Sequence, residues 1–538
     1  MSHLAQRRWY PPVVLIAALV LLPLSVLLLS WGEVDGEIWS HLWDTQMPRL
    51  LGNTLSLVLG VGSGVVLLGV SLAWLTALCE FPGRKWLDWA LMLPFAIPAY
   101  VLAFVFVGLL DFAGPVQSLL RELFGSGLRL PRVRSTGGVI TVLVLVFYPY
   151  VYLLARNAFL AQGRGLMEAA RVLGLSPWQA FWRVALPMAR PAIGAGLALA
   201  IMETLADFGA VSVFNFDTFT TAIYKTWYGF YSLSSATQLA SLLLLVVMLA
   251  LYVERRSRGA SRAGNERARS APLYRLRGVK ALAASAWCGL VFLCAFVVPM
   301  LQLLAWFWQR GRFDFDERYL GLILHTLYLG GLAALVTVTV AMLLAFARRL
   351  TPTRRMHGLV GLANLGYALP GSVLAVALML AFSWLDNRLV IPLSSALGGA
   401  GKPLLLGSLY ALLLAYLVRF MAVAYGPLEG SLARIRPSLP EASRSLGVGG
   451  ARLFGRVYLP LLLPGTLSAA LLVFVDVLKE MPATLLMRPF GWDTLAVRVF
   501  EMTSEGEWAR ASLPALSLVL VGLLPVIGLI RRSARRYG

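Results

Sequence analysis

Five ionisable side chains stand inside apolar runs of the sequence: Glu203 and Asp207 in one, Asp476, Lys479 and Glu480 in another. Charge within a hydrophobic segment is costly, so such residues are functional by default. Asp207 and Glu480 lie 273 positions apart (480 − 207). Their carboxylate oxygens suit hard cations, which makes transient oxygen ligation the chemistry on offer. The competing role is packing, with Lys479 paired to one of the acids. Tyr148, Tyr150 and Tyr152 could add phenolate oxygens, although packing or an interfacial position suits them better. Cys79, Cys288 and Cys294 form no CxxC pair, and His3, His41, His325 and His357 are far apart. No disulfide framework, thiolate metal site or bound cofactor is therefore expected.

A second kind of chemistry sits in a polar stretch that occurs twice. Glu168 to Pro187 reads EAARVLGLSPWQAFWRVALP, and Glu441 to Pro460 reads EASRSLGVGGARLFGRVYLP. The offset is again 273 (441 − 168), and ten of the twenty positions are identical. The pattern predicts a short helix, a turn and a second short helix. Gly174 stops the first helix, Ser176 caps the next and Pro177 takes its first position. Trp178, Phe181 and Trp182 then share one face, and Leu186-Pro187 ends the element. The second copy has Gly449-Gly450 in place of Ser-Pro. An interfacial helix lying on lipid would not require Glu, Gly and Leu-Pro to keep their spacing in both copies. A docking knob for a soluble partner, one per copy, would.

The elements that must position these residues are membrane spans. The chain has 538 residues, 59% of them hydrophobic and only 14% charged. Several runs exceed about 18 apolar residues, enough to cross hydrocarbon as helix. Short alternating segments of the kind a barrel needs are absent. The fold class is an all-α polytopic membrane protein. Apolar windows place twelve helices near 11–31, 51–79, 88–111, 136–160, 190–215, 235–253, 281–305, 322–348, 357–385, 403–425, 461–486 and 508–530. The run after Arg7-Arg8 has no small-residue cleavage pattern and reads as a retained first helix.

Duplication extends beyond the polar loop. Asn53-Thr54-Leu55 matches His325-Thr326-Leu327, and Phe95-Ala96-Ile97-Pro98 matches Tyr367-Ala368-Leu369-Pro370, both at an offset of 272. Residues 1–253 and 281–538 therefore read as two copies of a six-helix unit, joined by a basic linker at 254–280. An even number of spans makes the copies parallel. The net charge of +21 concentrates in four clusters: Arg7-Arg8, the linker, Arg348 to Arg355, and Arg531 to Arg536. With twelve spans these fall on one side, the cytoplasmic one, so the charge calls for no nucleic acid. Both termini and both polar loops share that side. The acids Glu33, Asp35, Glu37, Asp44, Asp314, Asp316 and Glu317 face outward, and the arginines of loop 112–135 are a mild exception.

The repeated Glu-Ala…Gly…Leu-Pro pattern resembles the cytoplasmic EAA loop of ABC-importer permeases, at the family spacing in both copies. The resemblance implies a type I ABC importer permease fold in a bacterial inner membrane. Its coupling residues would be Glu168, Ala169, Gly174, Phe181, Leu186 and Pro187, then Glu441, Ala442, Gly447, Phe454, Leu459 and Pro460. Two copies of a cytoplasmic ATPase would receive them. The chain has no GxxxxGK[ST], the turn and lysine a phosphate cradle needs, so it is not expected to hydrolyse ATP. The whole chain is similar to fused ferric-iron permeases that work with a periplasmic ferric-binding protein. That likeness rests on Leu205 to Ala210, Asp217 to Trp227 and Lys479 to Pro489. Permeases for thiamine, aminoethylphosphonate, polyamines, sulfate or molybdate share the fold and the loop.

Ferric iron prefers oxygen ligands, so Asp207 and Glu480 are candidates to pass it without holding it, and no tight metal site is expected in the membrane. Segments 216–234 and 487–507 are expected to be external loops that touch the binding protein. A gradient-driven carrier could also be built from two parallel six-helix repeats, but it would need no ATPase socket.

Overall fold

The computed structural model describes residues 7–125, 131–162, 168–170, 172–257, 274–398, 401–436 and 438–537. Among them are twelve helical spans long and apolar enough to cross a membrane. They are α1 (Tyr10–Gly32), α2 (Gly36–Leu78), α3 (Ala99–Phe124), α4 (Thr136–Ala161), α5 (Pro177–Ala206) and α6 (Leu233–Ala250). Then follow α7 (Val279–Gln309), α8 (Glu317–Leu350), α9 (Gly371–Ala396), α10 (Leu409–Ala433), α11 (Phe454–Lys479) and α12 (Trp508–Gly528).

Their number and order follow the apolar windows, but several windows contain breaks. The window at 88–111 divides into Arg84–Ala90, a 3-10 turn at Leu93–Ala96, and α3. That at 357–385 divides in the same way, into Arg354–Ala363, Leu365–Ala368 and α9. Both breaks sit at the repeated X-Pro. Ile97 (ψ 119°) and Leu369 (ψ 118°) are forced extended by the ring of the following proline.

A different proline device keeps helices continuous. The chain widens to i→i+5 bonding at Leu42–Gln46, Phe181–Ala185, Leu293–Val297, Asp386–Val390 and Phe454–Tyr458. Each segment is followed at once by one residue and then a proline: Pro48, Pro187, Pro299, Pro392 and Pro460. Proline has no N–H to give and its ring crowds the carbonyl four residues back. One extra residue in the turn relieves both problems. This corrects one expectation: Leu186-Pro187 and Leu459-Pro460 do not end an element but lie inside α5 and α11.

The segments 216–234 and 487–507 are also more ordered than loops. They contain Phe219–Phe230 and Leu495–Ser504 as helices. The 112–135 segment holds Pro115–Phe124, the tail of α3 beyond a turn at 111–114.

The chain forms two compact units, and neither is a continuous half. One comprises Met1–Gly36, Ile223–Leu244 and Glu317–Val497. Here α8, α10 and α11 pack as a bundle, and α1 lies along Arg354–Ala363 and α9. Tyr10 and Thr353 share a hydrogen bond of 2.7 Å at one end of α1. At the other end Gln238 donates to the Ser30 carbonyl (2.6 Å) and Trp31 to the Ser241 hydroxyl (2.8 Å).

The second unit comprises Glu37–Ala222, Leu245–Asp316 and Arg498–Gly538. In it α4 is held between α2 and α5. A Cβ on Gly69 would come within 2.7 Å of the Val151 Cβ, and one on Gly196 within 2.7 Å of the Val151 Cα. Small residues on both neighbours thus let two backbones close on α4, the usual device for packing helices in lipid. Helices α7 and α12 pack on each other. The Phe104 ring of α3 stacks near Trp306 (6.0 Å) and Trp508 (6.3 Å). The chain after α2 and the chain before α7 pair as a two-residue parallel ribbon, Cys79–Glu80 with Tyr274–Arg275.

Candidate functional site

The two polar loops fold alike. In the first, Glu168 and Ala169 are exposed on a helical turn. Leu175 N–H reaches the Ala170 carbonyl (3.0 Å) around Gly174, whose φ is +81°. In the second, exposed Glu441 and Ala442 lie on Ser438–Ser445. Val448 N–H reaches the Ser443 carbonyl (2.9 Å) around Gly447, at φ +78°. Both glycines are therefore left-handed helix terminators, a conformation that strains any residue with a Cβ. Ser176 then caps Pro177–Ala180 in a reciprocal box with Gln179, as its sequence predicts. In the second loop Gly450 (φ +56°) opens Gly450–Leu453 instead.

Each loop is fixed to its unit by aromatic contact. Phe181 meets Trp74 of α2 edge-on at 4.8 Å, and Phe454 meets Phe346 of α8 at 5.4 Å. In the second loop Tyr458 also meets Phe346, at 5.0 Å. Trp74 and Phe346 are themselves 272 apart (346 − 74), a repeated pair that the loop motif alone does not reveal. Trp178 and Trp182, which share a face with Phe181, stay 69% and 51% exposed. The loops therefore present Glu, Gly and aromatic surface outward on a fixed base. Leu186 and Pro187 are half-buried, whereas Leu459 and Pro460 are exposed.

Beneath the loops the two repeats carry ion pairs of opposite sense. In one, Arg156 of α4 forms a two-pronged contact of 2.5 Å with Asp88, and the buried Tyr152 donates to the Asp88 carbonyl (2.8 Å). In the other, Glu429 of α10 takes Arg348 of α8 at 2.5 Å, and Arg348 also reaches the Tyr425 hydroxyl (3.1 Å). Tyr148 is fully buried and donates to the Leu91 carbonyl (2.8 Å). Tyr148 and Tyr152 are thus packing groups, as the sequence reading preferred.

The intramembrane acids stand where helices break. Asp207 follows α5 in extended conformation (ψ 127°) and accepts the Val211 N–H at 3.1 Å, capping Gly209–Val213. Its carbonyl accepts the Thr220 hydroxyl at 2.7 Å. Glu480 follows α11 (ψ 113°) and accepts the Ala483 N–H at 2.9 Å, capping Pro482–Met487. Its carbonyl accepts the Thr484 hydroxyl (2.7 Å), which also bonds Tyr416 (2.7 Å). The two acids hold equivalent local positions, each within its own unit. They differ in charge environment. Glu480 is 5% exposed and paired at 3.2 Å with Arg419 of α10. Asp207 is half-buried and accepts backbone N–H groups. Asp476 lies within electrostatic reach of Lys479, Arg419 and Glu480, while Glu203 is half-buried on α5.

Arg419 is the residue the sequence reading passed over. Its signal was there: a lone arginine in the apolar run LYALLLAYLVRFMAVAY. Among the described residues no group of three or more His, Cys, Asp or Glu side chains could hold a metal ion.

Comparison with known proteins accords with this architecture. Residues 65–258, which include the first polar loop, match the family described as the binding-protein-dependent transport system inner membrane component. The fold is that of a type I ABC importer permease, with twelve helices among the described residues long and apolar enough to cross a membrane, and the match supports a permease role. The chain resembles the fused permeases of ferric-iron uptake: it is 28% identical over 522 residues to the Fe(3+)-transport system permease protein FbpB 2 of Haemophilus influenzae, covering 96% of both chains. Two shorter likenesses are to Escherichia coli sulfate permeases. CysT is 29% identical over 36% of this chain and 69% of its own length. CysW is 34% identical over 33% of this chain and 57% of its own.

Proposed function

We propose that this chain is the whole membrane pathway of an ATP-driven importer for ferric iron delivered by a soluble binding protein outside the cell. The observation that carries the reading is the pair of exposed loops at 168–187 and 441–460, alike in their glycine terminators and each fixed by aromatic contact. One loop seats in each of two cytoplasmic ATPase subunits, with Glu168 and Glu441 as ion-pair partners. ATP binding draws the subunits together and the loops transmit the movement to α5 and α11, which continue directly from them. Both termini are cytoplasmic, in keeping with the four basic clusters. The chain itself performs no bond-breaking chemistry and needs no cofactor.

The likeness to an Fe(3+) permease over nearly the full chain supports iron. Asp207 is the better candidate for transient contact, because Glu480 is already neutralised by Arg419. A second reading, sulfate, is favoured by Arg419 itself and by the shorter likenesses.

The test is uptake of iron-55 into cells lacking their own ferric permease but carrying this chain with its neighbouring ATPase and binding protein. Wild-type uptake, abolished by Glu168→Ala/Glu441→Ala, is the expected result. Uptake that survives the double substitution would reject the docking role. Sulfur-35 sulfate uptake without iron uptake would move the substrate to the second reading.

A further inference from the structure

The two repeats differ on the side opposite the polar loops. From Asp207 to the start of helix Phe219–Phe230 is 12 residues (219 − 207), and from Glu480 to the start of Leu495–Ser504 is 15 (495 − 480). Most of the extra length falls in the connection 488–494, Arg-Pro-Phe-Gly-Trp-Asp-Thr, seven residues against five at 214–218. Its first-repeat equivalent is tied down: Asp217 pairs with Arg49, and Asn53 donates to the Asp217 carbonyl at 2.8 Å.

The longer connection instead carries a bare Phe490, 105% exposed, the most exposed large apolar side chain among the described residues. Its base is braced on three sides. Arg488 and Asp493 form an ion pair across it at 3.1 Å. Trp492 stacks on His325 at 4.5 Å and lies against Tyr328 at 5.9 Å. Leu495 N–H bonds the Thr326 hydroxyl at 2.9 Å. Trp492 N–H closes a turn on the Pro489 carbonyl (3.1 Å), with Gly491 at φ +78°.

We infer that Phe490 is a preformed anchor that enters an apolar pocket on the soluble binding protein when that protein docks. The inference rests on the importer reading above, which supplies such a partner and places this connection on its side. An isolated phenylalanine held out on a braced turn has already lost the freedom that binding would otherwise remove, and this favours recognition of a shaped surface. Lipid is the less suitable occupant. The connection lies outside all twelve spans and has an Arg–Asp ion pair at its base. Interfacial anchors are commonly Trp or Tyr, and the tryptophan here is turned inward onto His325.

The test uses the assembled permease–ATPase complex in lipid nanodiscs and the binding protein encoded with it. The readout is the binding-protein concentration that half-maximally stimulates ATP hydrolysis. Phe490→Ala should raise it about tenfold or more, as expected for truncating an interface hot spot. Phe490→Leu should recover part of the loss, and basal hydrolysis should be unchanged. Phe490→Cys labelled with bimane should be shielded by the binding protein and unaffected by brominated lipid. An unchanged half-maximal concentration in Phe490→Ala, or quenching of the label by brominated lipid, would overturn the anchor alone. A wild-type complex that ignores the binding protein would overturn the importer reading, and the anchor with it.

Discussion

Gly371 shows how closely the charged break in α11 is built. A Cβ there would stand 2.4 Å from the Arg419 Nη1 and 2.5 Å from the Glu480 Oε1. Only hydrogen fits between the start of α9 and the ion pair. Gly371→Ala should therefore force the pair apart and lower the thermal midpoint of the purified protein. Arg419→Met is the sharper test, since it leaves a buried carboxylate without its counter-charge. That costs about 3–5 kcal/mol, and adding Glu480→Gln should restore much of it; thermal unfolding in detergent measures both. Cys79 offers a milder check. Burial pushes its thiol up to about 12, with Arg84 opposing. Thiolate is the reactive form and Cys79 is 3% exposed, so maleimide labelling of Cys79 should be negligible in the folded protein at pH 7.5 and should appear once the protein is unfolded in dodecyl sulfate.

At the scale of elements, the polar loops were the most legible part of the sequence, because their punctuation is local. Gly174, Gly447 and the Ser176 cap each act within a few residues. The continuation through Leu186-Pro187 was not legible. Proline reads as a stop unless the preceding turn widens, and that widening leaves no composition of its own. The aromatic sockets were missed for a related reason. Phe181 and Trp74 are over a hundred residues apart in sequence, and only the three-dimensional fold joins them. Phe181→Ala and Phe454→Ala should leave the exposed Glu168 and Glu441 in place but loosen the base of each loop. The expected outcome is retained ATP hydrolysis with reduced transport, seen as a raised ratio of ATP consumed to iron taken up in proteoliposomes. Equal ratios in variant and wild type would rule the sockets out as transmitters.

Across the whole molecule, hydropathy gave the twelve spans and the offset of 272 to 273 gave the duplication. The partition into compact units was hidden, because it depends on which helices exchange neighbours. The first copy's α1 and the start of α6 belong to a unit built around α8–α11, while α7 and α12 belong to the unit built around α2–α5. Residues 1–253 expressed alone should consequently leave α1 without Thr353 and α9, and should be protease-sensitive. Co-expression with 254–538 should restore resistance and uptake if the units reassemble. Protection of the lone first half would contradict this packing.

The neighbours of α1 also set a clock. Its tip meets Gln238 and Ser241 of α6, but the helices packed along its length, Arg354–Ala363 and α9, begin 322 residues after Gly32 (354 − 32). At about 5–20 residues per second of synthesis, α1 waits on the order of 15 to 65 seconds for them. During that interval lipid is its surroundings, and it must be content there. It carries no Asp, Glu, Lys or Arg between Tyr10 and Gly32, so nothing in it demands a protein partner early. The ion pair between α10 and the end of α11 has a shorter interval. Arg419 waits only 61 residues for Glu480 (480 − 419), on the order of 3 to 12 seconds at the same rate of synthesis.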